Sequence, residues 1–207
     1  MPLNRKHIPN ILTIVRILLV PVIVVFILVD FGSTIYSFTI LKQDYTFNLN
    51  YLLAGVLFVV ACITDALDGY LARRNKWVSD FGKLWDPIAD KILINSVLIC
   101  FAFQHSTLIW VPIIMIARDV MVDALRMYGA SQKKVMAANI FGKLKTIFQM
   151  IAIIIIFFLF NSTNTDKHIN YYLLQNIVMY LALMFSIASG FIYFVNFYKK
   201  AGSTTHK

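Results

Sequence analysis

Six apolar runs, each near the length that crosses a bilayer, dominate this chain: residues 11–29, 51–72, 86–104, 107–127, 145–161 and 173–197. A spanning helix needs about 20 mainly apolar residues. In lipid, backbone amides and carbonyls must be satisfied within the segment or by a closed barrel, so runs of this kind dictate helices. The expected fold is an all-α integral membrane protein with six transmembrane helices. Runs three and four are the weakest. Asp86, Asp90 and Lys91 open one, and Arg118, Asp119, Asp123 and Arg126 load the end of the other. A rival count of five would drop one of them.

Composition and charge bear on that choice. The 207 residues are 59% hydrophobic and 14% charged, whereas a soluble domain carries about 45–50% and about 25%. The net charge is +9, which in a soluble protein would suggest nucleic acid. Here the cations sit at helix ends and mark the cytoplasmic side, and no nucleic-acid partner is expected. With six spans both termini are cytoplasmic, and the external segments are 30–50, 105–106 and 162–172. Of 19 Lys and Arg, only Lys42 and Lys167 then lie outside. Five spans would push out either Arg73, Arg74 and Lys76 or Lys199 and Lys200.

Arg5 and Lys6 before the first run mimic a signal peptide, but the run is long and lacks a small-residue cleavage site, so it reads as a retained first helix. Cys62 and Cys100 both lie in apolar runs, which argues against a disulfide framework. Residues 1–200 read as one membrane domain and 201–207 as a disordered tail.

Against this background four aspartates stand out. Asp65 and Asp68 close the second run, and Asp86 and Asp90 open the third, across a short loop read at about 74–85. Carboxylates at a membrane boundary are costly unless they pair or bind metal, which makes them functional candidates. On a helix, residues three apart are separated by about 4.5 Å along the axis and about 60° around it; residues four apart, by about 6 Å and about 40°. Each pair therefore faces one way, and the short loop can bring the two pairs together at the cytoplasmic ends of helices 2 and 3. Four anions so close would raise one another's pKa values, a conflict that two divalent cations resolve. Mg²⁺ and Mn²⁺ favour carboxylate and phosphate oxygens. No Cys/His set suited to zinc lies nearby. Gly69 and Gly82 permit close backbone approach, either of a substrate or of a packing helix.

Asp65, Asp68, Gly69, Ala72, Arg73, Gly82, Asp86 and Asp90 match every position of the D-x-x-D-G-x-x-A-R…G-x-x-x-D-x-x-x-D signature. On these residues the chain resembles the CDP-alcohol phosphotransferase family over nearly its whole length. The resemblance implies a bacterial cell-membrane enzyme with its active site facing the cytoplasm. Asp65, Asp68 and Asp86 would be the principal ligands of two Mg²⁺ or Mn²⁺ ions gripping the diphosphate of CDP-diacylglycerol. Asp90 would be the general base toward an acceptor hydroxyl, with a metal contact of its own possible. Gly69, Ala72 and Gly82 would wall the cytidine, and Arg73 either pairs with a phosphate or anchors topology. Asn10, just before the first run, and Thr13 and Arg16 within it are placed near the donor headgroup, with an internal structural hydrogen bond as the equal alternative. A homodimer is implied as well.

The signature fixes the donor and leaves the acceptor open. Arg118, Lys143 and Lys145 are the basic residues available for an acceptor phosphate; pairing of Arg118 with Asp119 or Asp123, and topology anchoring by the lysines, are the plainer readings. Arg118, Asp119, Gly142, Lys143, Lys145, Thr146 and Gln149 resemble the branch that uses glycerol 3-phosphate. Phosphatidylglycerol (giving cardiolipin) and inositol phosphate are the alternatives within the family. The alternative of another class is a divalent-cation transporter, which would place its carboxylates near the midplane and often show repeated halves.

Overall fold

The computed structural model describes residues 8–29, 31–32, 34–40, 43–75, 80–132, 139–159 and 169–202. Among them are six helices and one hairpin: α1 (Ile8–Leu28), β1 (Thr34–Ile40), β2 (Gln43–Asn48), α2 (Leu49–Asn75), α3 (Asp80–Phe103), α4 (Trp110–Ser131), α5 (Ile140–Leu159) and α6 (Ile169–Gly202). Of the tail read as disordered, Ala201 and Gly202 close α6, and 203–207 lie outside the described residues.

Among the described residues four helices are long and apolar enough to cross a membrane by length and composition: Asn10–Leu28, Leu49–Leu67, Ile140–Phe158 and Leu173–Tyr198. Helices α3 and α4 have 24 and 22 residues, about 36 and about 33 Å at 1.5 Å per residue. Their length suffices for a bilayer, but their charges lower the hydropathy.

The chain divides into two compact units, one comprising Met1–Ser106 with Ile154–Lys167, the other Thr107–Ile153 with His168–Lys207. In the first unit α1 packs on both α2 and α3. The buried positions of α1 are Thr13, Arg16, Val20, Ile23 and Ile27, a 3–4–3–4 stripe that keeps one face inward. Ile14, Leu18, Val22 and Val25 are exposed on the opposite side, as a lipid-facing surface would be. Helix α2 buries Tyr51, Ala54, Phe58 and Ala61 at the same spacing. Phe157 is the hub of this unit, with ring contacts to Tyr51, Phe58 and Phe101. Gly55 lies against it so closely that a Cβ would stand 2.9 Å from the Phe157 Cβ.

Side chains satisfy the helix ends of this unit. Asn50 Nδ2 donates to the Val29 carbonyl and Gln104 Nε2 to the Ile27 carbonyl, closing α1 where carbonyls lack helical partners. Asn48 caps α2 by accepting from the Asn50 amide. Helix α3 ends in a Schellman turn: Ser106 N donates to Phe101 O and His105 N to Ala102 O, with His105 at φ 54°.

The hairpin adds to the helical architecture expected. Its antiparallel register runs from Thr34↔Asn48 to Ile40↔Gln43, with an irregularity between Thr34 and Tyr36. The β-branched and aromatic residues of 34–40 and 43–48 suit a pleated ribbon; hydropathy alone marks this segment only as a connection.

In the second unit α4 packs on α6. Stacked rings of Phe148 and Phe185 and the edge contact of Tyr128 with Phe197 tie its helices.

Candidate active site

The carboxylates lie within α2 and α3, and both helices extend further than hydropathy suggests. Helix α2 continues to Asn75 and α3 begins at Asp80. The connection is therefore only 76–79, which lies outside the described residues. Charged residues leave lipid but remain helical, so the hydropathy edge at Asp86 understates α3. Gly82, Asp86 and Asp90 thus share one α3 face at i, i+4 and i+8. Gly82 is buried, and Asp86 and Asp90 flank the fully buried Ala89 as half-buried residues. On α2, Asp65 follows Ala61 by four and continues the buried stripe, itself half-buried.

Two of these carboxylates are held from α1. Arg16 Nη1 makes a 2.6 Å ion pair with Asp65 Oδ1, the arginine side chain being 0% exposed. Thr13 Oγ1 donates to Asp86 Oδ1 at 2.5 Å, and Thr13 is also fully buried. Thr13 and Arg16 lie three apart on one face of α1 and reach carboxylates of two different helices. The Cys62 thiol, three residues before Asp65, lies within electrostatic reach of Asp65, Asp90 and Arg16, so the α2 and α3 carboxylates act on a common neighbourhood. Gly69 is half-buried, as is Asn10. The side chains of Asp68, Ala72 and Arg73 lie outside the described residues. Among the described residues no three Asp, His or Cys side chains close around one point.

A second polar cluster lies in the other unit. Asp119 on α4 accepts from Arg118 Nη1 at 2.8 Å through Oδ1 and from Lys145 Nζ at 2.6 Å through Oδ2. Arg118 Nη2 also donates to the Ser189 hydroxyl on α6. Two glycines make room: a Cβ at Gly190 would stand 3.1 Å from Arg118 Cγ, and one at Gly142 would stand 3.2 Å from Ser189 Oγ. The side chains of Arg118, Asp119 and Lys145 are only 11%, 13% and 5% exposed. Lys143, also read as an anion ligand, is exposed. Arg118 Nε is buried without a hydrogen-bond partner among the described residues, as are Gln149 Nε2 and Ser186 Oγ. Two cations and one anion leave this cluster with a net charge of +1, which suits it to receive an anion. A further latch joins Arg126 Nη2 and the Asn139 amide to the Tyr193 hydroxyl.

Sequence reasoning singled out Arg118, Lys145 and the carboxylates. The expected pairing of Arg118 with Asp119 is present; Ser189 was given no role, and Arg16 had no assigned partner. Those contacts depend on which helix faces pair, and a single run of residues does not encode that.

A model of the CDP-alcohol phosphatidyltransferase family matches residues 6–188. Curated relatives named CDP-diacylglycerol–glycerol-3-phosphate 3-phosphatidyltransferase include a Mycoplasma pneumoniae protein, 41% identical over 94% of this chain and 89% of its own length. A Mycoplasma genitalium relative of that name is 38% identical over 95% of this chain and 86% of its own length. A Bacillus subtilis one is 31% identical over 91% and 93%. With the match spanning most of the chain, and the signature aspartates sitting on adjoining helices, this chain belongs to the CDP-alcohol phosphatidyltransferase family.

Proposed function

We propose that the protein transfers the phosphatidyl group of CDP-diacylglycerol to glycerol 3-phosphate, releasing CMP and forming phosphatidylglycerophosphate. The family match and the name shared by relatives over nearly their full length support both substrates. The observation that carries the reading is the pair of signature carboxylates, Asp65 and Asp86, held on neighbouring helices by buried side chains of α1.

The donor set fits Mg²⁺ or Mn²⁺: it is all oxygen, and α1 fixes one oxygen of each of two carboxylates before any ligand arrives. Asp65, Asp68, Asp86 and Asp90 would hold two such ions. When bound, the ions neutralise charge on the diphosphate and on the departing CMP. Asp90 takes the proton of the acceptor hydroxyl. That oxygen forms a bond to the lipid-side phosphorus as the bond to the CMP oxygen breaks. Gly69, Ala72 and Gly82 leave space for the cytidine, with Arg73 and Asn10 at the donor headgroup. Thr13, expected beside the same headgroup, would act there through Asp86. Arg118 and Lys145 would bind the acceptor phosphate, with Arg118 Nε, which has no hydrogen-bond partner among the described residues, as a further donor, and Lys143 would contribute from the exposed side.

The same reading takes α3 and α4 as spans. That gives six crossings, cytoplasmic termini, an active site at the cytoplasmic face of the bacterial cell membrane, and a homodimer. Their inner-side cations favour this topology.

The test is CMP release by purified protein with Mg²⁺, CDP-diacylglycerol and one acceptor at a time. Glycerol 3-phosphate is expected to support turnover, and Asp90→Asn to lower it by roughly 10²–10⁴-fold with the fold retained. Release with inositol phosphate or phosphatidylglycerol, and none with glycerol 3-phosphate, would refute the acceptor. Metal flux into sealed vesicles without nucleotide would favour a transporter.

A further inference from the structure

The signature covers α2 and α3, yet two of its carboxylates are gripped by a helix outside it. We propose that Thr13 and Arg16 are positioning residues that preset Asp86 and Asp65 for divalent-cation binding. This inference rests on the metal reading of the carboxylates given above.

Three observations lead to it. The first is placement. The inward stripe of α1 is apolar at Val20, Ile23 and Ile27 but polar at Thr13 and Arg16. Apolar residues would pack there with no desolvation cost, whereas a buried hydroxyl and a buried guanidinium each need a partner. The second is the choice of partners. Each residue engages a carboxylate of the signature, Thr13 on α3 and Arg16 on α2. One helical face thereby sets the orientation of ligands on two helices. The third is donor chemistry. A threonine hydroxyl has a single proton, and here it goes to Asp86 Oδ1. A β-branched side chain in a helix is confined to few rotamers, so the bond restrains Asp86 Oδ1. The Arg16 guanidinium restrains Asp65 Oδ1 through an ion pair at 2.6 Å. Asp86, restrained at Oδ1, presents its other oxygen from a restrained position. Hydrogen-bond partners of this kind around a metal site are worth about 10–100-fold in metal affinity.

The experiment measures Mn²⁺ binding to the purified, metal-stripped protein in detergent by electron paramagnetic resonance, without substrates. Thr13→Val keeps the shape and removes the donor. It is expected to weaken Mn²⁺ binding by about 10–100-fold, while Thr13→Ser binds as the wild type does. Arg16→Lys keeps the charge but loses the planar fork, and a loss in the same range is expected. Ile23→Val, deeper on the same stripe, serves as the packing control and leaves Mn²⁺ binding unchanged. Wild-type affinity in both Thr13→Val and Arg16→Lys would overturn the inference. So would an equal loss in Ile23→Val or in Thr13→Ser, because packing and not the donor would then be responsible. A wild-type protein that binds no Mn²⁺ would refute the metal reading itself, and the inference with it. Should Thr13→Val fail to fold, Arg16→Lys against Ile23→Val decides the question.

Discussion

Asp119 stands between two cations, and removing its charge gives the sharpest test of the second polar cluster. In Asp119→Asn the shape is kept, but Arg118 and Lys145 lose their shared anion. The cluster changes from a net +1 to +2 within side chains that are 5–13% exposed. Two unit charges about 4 Å apart interact by about 4 kcal/mol at an effective dielectric constant of about 20. Stranding a charge by removing its buried partner costs about 3–5 kcal/mol. The two figures agree, and the loss expected for Asp119→Asn is about 3–5 kcal/mol. Lys145→Met differs in kind: it leaves Arg118 and Asp119 as a neutral pair and removes one charged hydrogen bond, for about 1.5–3 kcal/mol. Combining the two changes should cost less than their sum, because the substituted amide then faces one cation instead of two. The assay is reversible unfolding in mixed detergent micelles followed by circular dichroism. A loss below about 1 kcal/mol for Asp119→Asn would refute the reasoning, since surface ion pairs contribute only that much. The cluster would then be solvated and its cations held by something other than Asp119.

Two further changes probe the scaffold by the same unfolding measurement. Gly55→Ala puts a Cβ 2.9 Å from Phe157 Cβ and 3.2 Å from Phe158 Cε2; because Phe157 is fully buried among three rings, the overpacking is expected to cost about 1–3 kcal/mol. An unchanged stability would show that α2 and Phe157 separate freely. His105→Val places a β-branched residue at φ 54° and should cost about 1–2 kcal/mol, while His105→Gly should be tolerated; equal stability of the two variants would rule out the left-handed cap.

Much of the architecture was legible because lipid simplifies the code. Long apolar runs can only be helices or barrels, and each of the six runs maps onto one helix. The errors have a common cause. Hydropathy reports contact with lipid and not helicity, so α3 starts at Asp80 instead of 86 and α5 at Ile140 instead of 145. That shift matters for the site. It places Gly82, Gly142 and Lys143 on helices, and it gives Gly82, Asp86 and Asp90 a common face. The signature itself could be read residue by residue, because its spacing is local to two adjoining helices. The grip of Thr13 on Asp86 could not: the partners are 73 positions apart, and only the packing of α1 against α3 brings them together. Arg118, Asp119 and Lys145 were visible as charges near helix ends, where pairing of Arg118 with Asp119 or Asp123 and topology anchoring by the lysine are the simplest accounts. Their burial became apparent only once α4, α5 and α6 were assembled.

One sequence signal for these hidden contacts does exist, and it inverts the rule for soluble proteins. With lipid outside, apolar residues need no interior, so the informative positions are the polar ones on an inward stripe. On α1 these are Thr13 and Arg16; on α5, Lys145 and Gln149; on α6, Gln175, Asn176, Ser186 and Ser189, all buried. Thr13, Arg16, Lys145 and Ser189 each touch a charged side chain. Gln149 and Ser186 follow the same pattern but leave Nε2 and Oγ without a hydrogen-bond partner among the described residues. A buried donor left unpaired costs about 1–3 kcal/mol, and a membrane interior gives it no bulk water in compensation. Gln149 lies one turn from Lys145, and Ser186 one turn from Ser189, on the stripes that hold the cationic cluster.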